Sequence, residues 1–356
     1  MWWGAWAASL PAVRRGVGAT NAELGVVLLA VALAALPAMV LTGRLADRVG
    51  PRLVPVTLVI FGVAGFLPPL APSRWTLFGF LLLVGAGSGA LDVAINARVS
   101  SLEAARGIRV MDGMHAMYSA GVVVGGVGAG IARRLGAHPS AILAVVCVVA
   151  LAIAAMNARS EALPAAPGRH AALARPLLIV GAVFAISALV ESGVEAWSAL
   201  LLENELHTNP AISGLGPGLF AAGMVTGRVL AQRVVPASIG LRMGISGAAA
   251  ATGLVFASTT SSPALAVAGI FIAGAGIAMS VPTLFRLAGQ LGGAPAISTA
   301  AVIGYVGFGI GEHQLEKPAH RFLRGGRVAS TQGATEKDAS LELVDPALGA
   351  QLVPAR

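Results

Sequence analysis

An all-α, polytopic membrane protein of about eleven helical spans is predicted for this chain, on three observations. Mean hydropathy is +0.81 and charged residues make up only 11% of 356, whereas a soluble domain carries about a quarter. Uncharged runs near 20 residues recur along the chain, and about 20 apolar residues cross the roughly 30 Å hydrocarbon layer as a helix. The remaining charges sit in short turns between those runs.

The first apolar stretch, Met1 to Val13, lacks the basic start of a signal peptide. It is too short to span and is expected to be the end of a helix that begins upstream. Arg14 to Glu23 forms a polar turn, with Thr20 or Asn21 available to cap the second helix. Leu24–Thr42 and Leu53–Ser73 are uncharged for 19 and 21 residues. The decapeptide Gly43-Arg44-Leu45-Ala46-Asp47-Arg48-Val49-Gly50-Pro51-Arg52 between them reads as the tight turn of a transmembrane hairpin. Pro72-Ser73-Arg74 is the next turn. Span 4 runs from Trp75 to Ala97, Arg98–Asp112 is a charged turn, span 5 covers Gly113–Ala132, and span 6 ends at Asn157.

Ala158–Pro176 holds three prolines and three arginines and reads as a linker. It divides an N-terminal half (1–157) from a C-terminal half (177–311). Span 7 follows, then a polar turn over Glu203–Pro210, and span 8 ends near Arg228 and Arg233. Met243–Phe285 is uncharged for 43 residues, and Ser258–Pro263 splits it into spans 9 and 10. Leu287–Gly311 is span 11. Gly227-Arg228 after span 8 echoes Gly43-Arg44 after span 2, which suggests two related halves. The tail, 312–356, holds 12 charges and both lysines of the chain. It is expected to be disordered, with the composition of a frame change.

Orientation follows from counting. With Gly43–Arg52 placed inside, the inner turns carry Arg44, Arg48, Arg52, Arg98, Arg106, Arg109, Arg159, Arg169, Arg175, Arg228, Arg233, Arg242 and Arg286, which is 13. The outer turns carry Arg14, Arg15, Arg74, Arg133 and Arg134, which is five. Cytoplasmic turns collect arginine in this way. The formal charge of +8 therefore reflects orientation in a bilayer. It forms no basic face for nucleic acid.

Ionisable groups within spans are costly and face a cavity or a partner. Asp92, His115, Glu191 and Glu195 are such groups. Asp92 and Asn96 share one helix face, as do Glu191 and Glu195, with Trp197 close behind. A carboxyl group in a low-dielectric cavity can load and release a proton near neutral pH. At 1.5 Å per residue, Glu191 lies roughly 22 Å into span 7 and Glu195 about 6 Å further out. Glu191 is thus read as the cavity carboxylate, Asp92 as a gate or relay group, Glu195 as an interfacial residue and His115 as a packing histidine or proton relay. Gly121, Gly125, Gly126 and Gly130, with Gly85 and Gly89, offer small-residue packing surfaces. The single cysteine, Cys147, permits no intrachain disulfide. No P-loop, zinc-ligand spacing or nucleophile elbow appears, so neither enzyme activity nor a metal or cofactor is expected.

Gly43, Asp47, Arg48, Gly50 and Arg52 stand in the order Gly-x-x-x-Asp-Arg-x-Gly-x-Arg. This resembles the loop joining the second and third of twelve helices in the major facilitator superfamily. The resemblance covers residues 1–311. It implies a two-half helical bundle, a motif that latches the cytoplasmic gate, and secondary transport by alternating access. Leu91–Asn96, His115–Gly121 and Glu191–Trp197 resemble a fucose-permease-like bacterial branch. That implies a multi-pass inner-membrane protein carrying a sugar or other small organic solute with a proton, with Asn96 and Trp197 as solute contacts. The alternative reading is a truncated or frameshifted relative that keeps the fold without transport.

Overall fold

The computed structural model describes residues 1–108, 110–159, 175–233 and 238–314. Most of the predicted linker, and the tail beyond Gln314, lie outside the described residues. Within the described residues twelve α-helices follow in order: α1 (Trp2–Gly16), α2 (Asn21–Val49), α3 (Leu53–Phe66), α4 (Arg74–Arg106), α5 (Met111–Arg134), α6 (Pro139–Asn157), α7 (Arg175–Leu200), α8 (Pro210–Ser213), α9 (Leu215–Arg233), α10 (Ile239–Thr259), α11 (Pro263–Ile277) and α12 (Ser280–Gln314). Gly50–Arg52 and Pro68–Leu70 are 3-10 turns, and Leu201–Glu205 is a π turn. Among the described residues there is no strand.

Local chemistry sets the helix starts. Thr20 Oγ1 accepts from the Glu23 amide at 3.2 Å, and the Glu23 carboxylate accepts from the Thr20 amide at 2.9 Å. This is a reciprocal cap. Ser73 caps α4 through the Thr76 amide, and Asn209 caps α8 through the Ala211 and Ile212 amides. The predicted turn at Ser258–Pro263 is found, between α10 and α11.

The helices outrun their apolar stretches in three places. Gly43–Val49 continues α2, so the reversal is confined to Gly50–Arg52. Arg98–Arg106 continues α4, and Arg228 lies inside α9 rather than in a turn. Arginine, leucine and alanine are good helix formers, and a charge limits where lipid can lie without ending the backbone ladder. Gly50 supplies the reversal with φ +59°. A side chain there would meet nothing within 4 Å, so Gly50→Ala is expected to cost only the left-handed strain, about 1 kcal/mol. A small drop in apparent Tm in detergent would register it.

Among the described residues, eight helical stretches are long and apolar enough to cross a membrane. With α1, α9 and the second arm of α12 lying beside them, the bundle agrees with the expectation of about eleven helical spans. The arms of α12 follow from packing. Phe184 meets Phe285 with ring centroids 4.9 Å apart, and a Cβ on Gly304 would lie 2.7 Å from the same ring. A straight helix would hold residues 285 and 304 about 28 Å apart. The element therefore bends back between them.

Parallel neighbours meet through small residues, backbone to backbone. Gly85 and Gly89 of α4 face Val31 and Ala35 of α2, and Gly4 of α1 faces Val122 of α5. An apolar cluster around Trp2, Trp6, Leu28, Phe61 and Leu81 fills the first part of the bundle. Clusters around Phe220 and Ile270, and around Phe184 and Leu284, fill the rest. Leu33, Val148 and Ile186 point outward, more than half exposed, as lipid-facing side chains do.

Candidate functional site

The parallel pairing of α2 with α4 brings the turns after Val49 and after Arg106 to one end of the bundle. Arg15, Arg133, Glu203 and Ser213 meet at the other end. Between these ends lies a polar cluster fed by five helices.

Asp92 and Asn96 enter it from α4. The Asn96 amide donates to the Asp92 main-chain carbonyl at 2.8 Å and to its carboxylate at 3.1 Å. The Tyr305 phenol, from α12, donates to the same carboxylate. Glu191 and Glu195 enter from α7, one turn apart and close enough to repel. Glu191 also lies within electrostatic reach of Arg228 on α9. The Arg228 guanidinium donates to Ser119 Oγ on α5 at 3.2 Å and to the Ala278 carbonyl at 3.5 Å. Tyr118 on α5 sits within the field of Asp92, Glu191, Glu195 and Tyr305. Three acids, two phenols, an amide and a guanidinium thus share one space between helices that precede residue 160 and helices that follow residue 174.

The surroundings of this space differ at its two sides. On α5, His115, Ala116, Met117, Tyr118 and Ala120 are exposed, with Met117 at 73%. One to three turns later Val122, Ala129 and Arg133 are buried. There Gly126 and Gly130 lie against Gly214 and Gly218 so tightly that a Cβ on Gly130 would be 2.7 Å from the Pro210 carbonyl oxygen. Helix α5 and the helices α8 and α9 are therefore pressed together at the Arg133 end.

The sequence-derived candidates divide accordingly. Asp92, Asn96, Glu191 and Glu195 are brought together. Glu195 is only 7% exposed, so its helix face turns inward among the helices. Trp197 packs, half-buried, on the apolar cluster around Trp2 and Leu28. His115 is exposed on the second turn of α5. Of the decapeptide, Gly43, Gly50 and Arg52 are exposed; the Asp47 and Arg48 side chains lie outside the described residues. No ion pair among the described residues involves Arg44 or Arg52.

Sequence reasoning missed Tyr118, Tyr305, Ser119 and Arg228 as members of the cluster. A usable signal existed: the chain has two tyrosines, and both are here. Arg228 was also the lone charge between Leu215 and Gln232, which a helix tolerates when the charge faces inward.

The family model of the Major Facilitator Superfamily matches residues 1–312. An uncharacterized MFS-type transporter of Yersinia pestis is 30% identical over 313 residues, covering 85% of this chain and 81% of that protein. The membrane protein MosC of Rhizobium meliloti is 29% identical over 320 residues, covering 86% and 77%. Among solved structures, a bacterial homolog of the human lysosomal transporter Spinster, in an inward-facing and unoccupied conformation, aligns with a TM-score of 0.65 at 15% identity. It covers 95% of this chain and 82% of that one. A single-site mutant of the nucleoside transporter NupG aligns at 0.63 and 16% identity, covering 88% and 85%.

Proposed function

Since the chain belongs to the major facilitator superfamily, we propose that it is a secondary transporter moving a small, hydroxyl-rich solute across a bacterial inner membrane by alternating access, with proton symport. Residues 1–157 and 177–311 are the two rocking halves in this reading. The observation that carries it is the cluster of Asp92, Tyr118, Glu191, Arg228 and Tyr305 between the helices before and after the linker, with α5 packed tightly on α8 and α9 at the Arg133 end. Tight packing at the outer end supports a resting form closed on that side.

Glu191 is assigned the proton, with Arg228 as the cation that it can face when ionised. Asp92 relays between the cluster and the inner side, held by Asn96 and Tyr305. Glu195 tunes Glu191 by repulsion, and His115 stands on the inner route. Asn96 and the phenols offer hydrogen bonds suited to a sugar or nucleoside, and Trp197 an adjoining aromatic edge. An electroneutral partner fits a space where one guanidinium meets three carboxyls better than an anion does.

The test is flux. Purified protein in vesicles enclosing a pH-sensitive dye is given hexoses, nucleosides and amphipathic amines in turn. Solute-dependent proton entry for a hydroxyl-rich compound is the expected result. A monodisperse, reconstituted protein that moves no proton with any of them would overturn proton symport, and the absence of labelled-solute counterflow as well would overturn transport.

A further inference from the structure

Four hydrogen bonds converge on the Glu203 carboxylate. Arg133 supplies two, at 2.8 and 2.9 Å, Arg15 one at 2.7 Å, and Ser213 Oγ one at 2.8 Å. Arg133 also donates to the Ala8 carbonyl at 2.5 Å. One side chain on the π turn therefore ties α1 and α5, which precede the linker, to α8, which follows it. The Arg133 and Glu203 side chains are only 4% and 7% exposed, and Arg15 is 51% exposed.

Such a knot resembles a catch more than a weld. Burying an ion pair costs desolvation that roughly cancels the attraction, so opening it to water is close to neutral provided both partners are released together. Two neighbouring polar atoms, Arg14 Nε and Asn204 Nδ2, are buried without a hydrogen-bond partner among the described residues. Hydration on opening would satisfy both, which lowers the cost of parting. The Gly126 and Gly130 contacts beside the knot are van der Waals contacts of small residues that can separate without unthreading side chains. Leu201–Glu205 departs from α-helical geometry where Glu203 is presented, and π turns are frequent at functional sites.

We infer that Glu203 is the release point of a charged latch at the Arg133 end, and that loss of its charge shifts the resting molecule toward a form open at that end. The inference rests on the alternating-access reading above. Glu203 touches neither solute nor proton in this scheme; it sets which side of the bundle is closed.

Spin labels on Arg134→Cys and Ser261→Cys, both exposed at this end, in a Cys147→Ser background, report the opening by pulsed electron resonance. Glu203→Gln is expected to raise the ratio of long to short distances about tenfold, the scale of a lost charge-assisted hydrogen bond or two. Gly130→Leu, which wedges α5 from α8 while keeping every charged group of the latch, should lengthen the distance by steric force alone. Opening by the wedge but not by Glu203→Gln overturns the latch and leaves alternating access standing. Opening by neither overturns both. Should Glu203→Gln fail to give monodisperse protein, Arg15→Gln combined with Ser213→Ala removes two of the partners and keeps the buried Arg133 pair. A smaller shift in the same direction is then expected, and an unchanged distribution overturns the latch.

Discussion

Glu191→Gln is expected to abolish accumulation of solute against its gradient while leaving exchange of labelled for unlabelled solute intact. Glutamine keeps the size of glutamate and its place on α7 but has a single charge state. If Glu191 carries the proton, the variant is fixed in a form equivalent to the protonated one, and binding no longer responds to the pH difference. One pH unit corresponds to about 1.4 kcal/mol, or a tenfold ratio. For one proton per solute, the parent should therefore accumulate solute about tenfold under a one-unit gradient, and the variant not at all. Arg228 retains the Ser119 hydroxyl and the Ala278 carbonyl as acceptors, so the loss of its charged neighbour need not unfold the bundle. Accumulation by the variant equal to that of the parent would remove Glu191 from the coupling step.

Spans were legible because hydropathy records depth in the bilayer directly. Leu24–Thr42, Leu53–Ser73 and the split at Ser258–Pro263 needed nothing else. Helix ends were less legible, because the same alanines, leucines and arginines that form a polar turn also propagate a helix into water; Gly43–Val49 and Arg98–Arg106 did so. The membership of the cluster was only half legible. Asp92 and Glu191 stand out as charges inside apolar runs, and their i, i+4 partners follow from helix geometry. Arg228 was assigned to a turn, because arginine near a span end usually marks the surface. Its inward position depends on α5 and α11 approaching α9, a tertiary fact with no trace in a local window. Tyr305 joins Asp92 only because α12 bends back, and two helices more than two hundred residues apart must meet before that pairing exists. The pairing of Glu203 with Arg133 and Arg15 is of the same kind.

Gly85→Val should be severely damaging to the fold, and Gly79→Val in the same helix should be nearly silent. At Gly85 a Cβ would overlap the Val31 carbonyl oxygen, and one turn later a Cβ on Gly89 would lie 2.6 Å from the Ala35 carbonyl oxygen. Both obstacles are backbone, so no rotamer change relieves them, and α2 must move away from α4. Overpacking of this kind costs about 1–3 kcal/mol where side chains can yield, and more than about 4 kcal/mol is expected where they cannot. At Gly79 a Cβ meets nothing within 4 Å, and the position is exposed, so valine there only adds apolar surface facing lipid. Thermal unfolding followed by size exclusion separates the two: the first variant should aggregate well below the parent and the second alongside it. Equal stability of the pair would mean that α2 and α4 do not touch through their backbones. Asp92 would then lose its fixed depth, since it is the α2–α4 contact that holds its helix in place against the turn at Gly50.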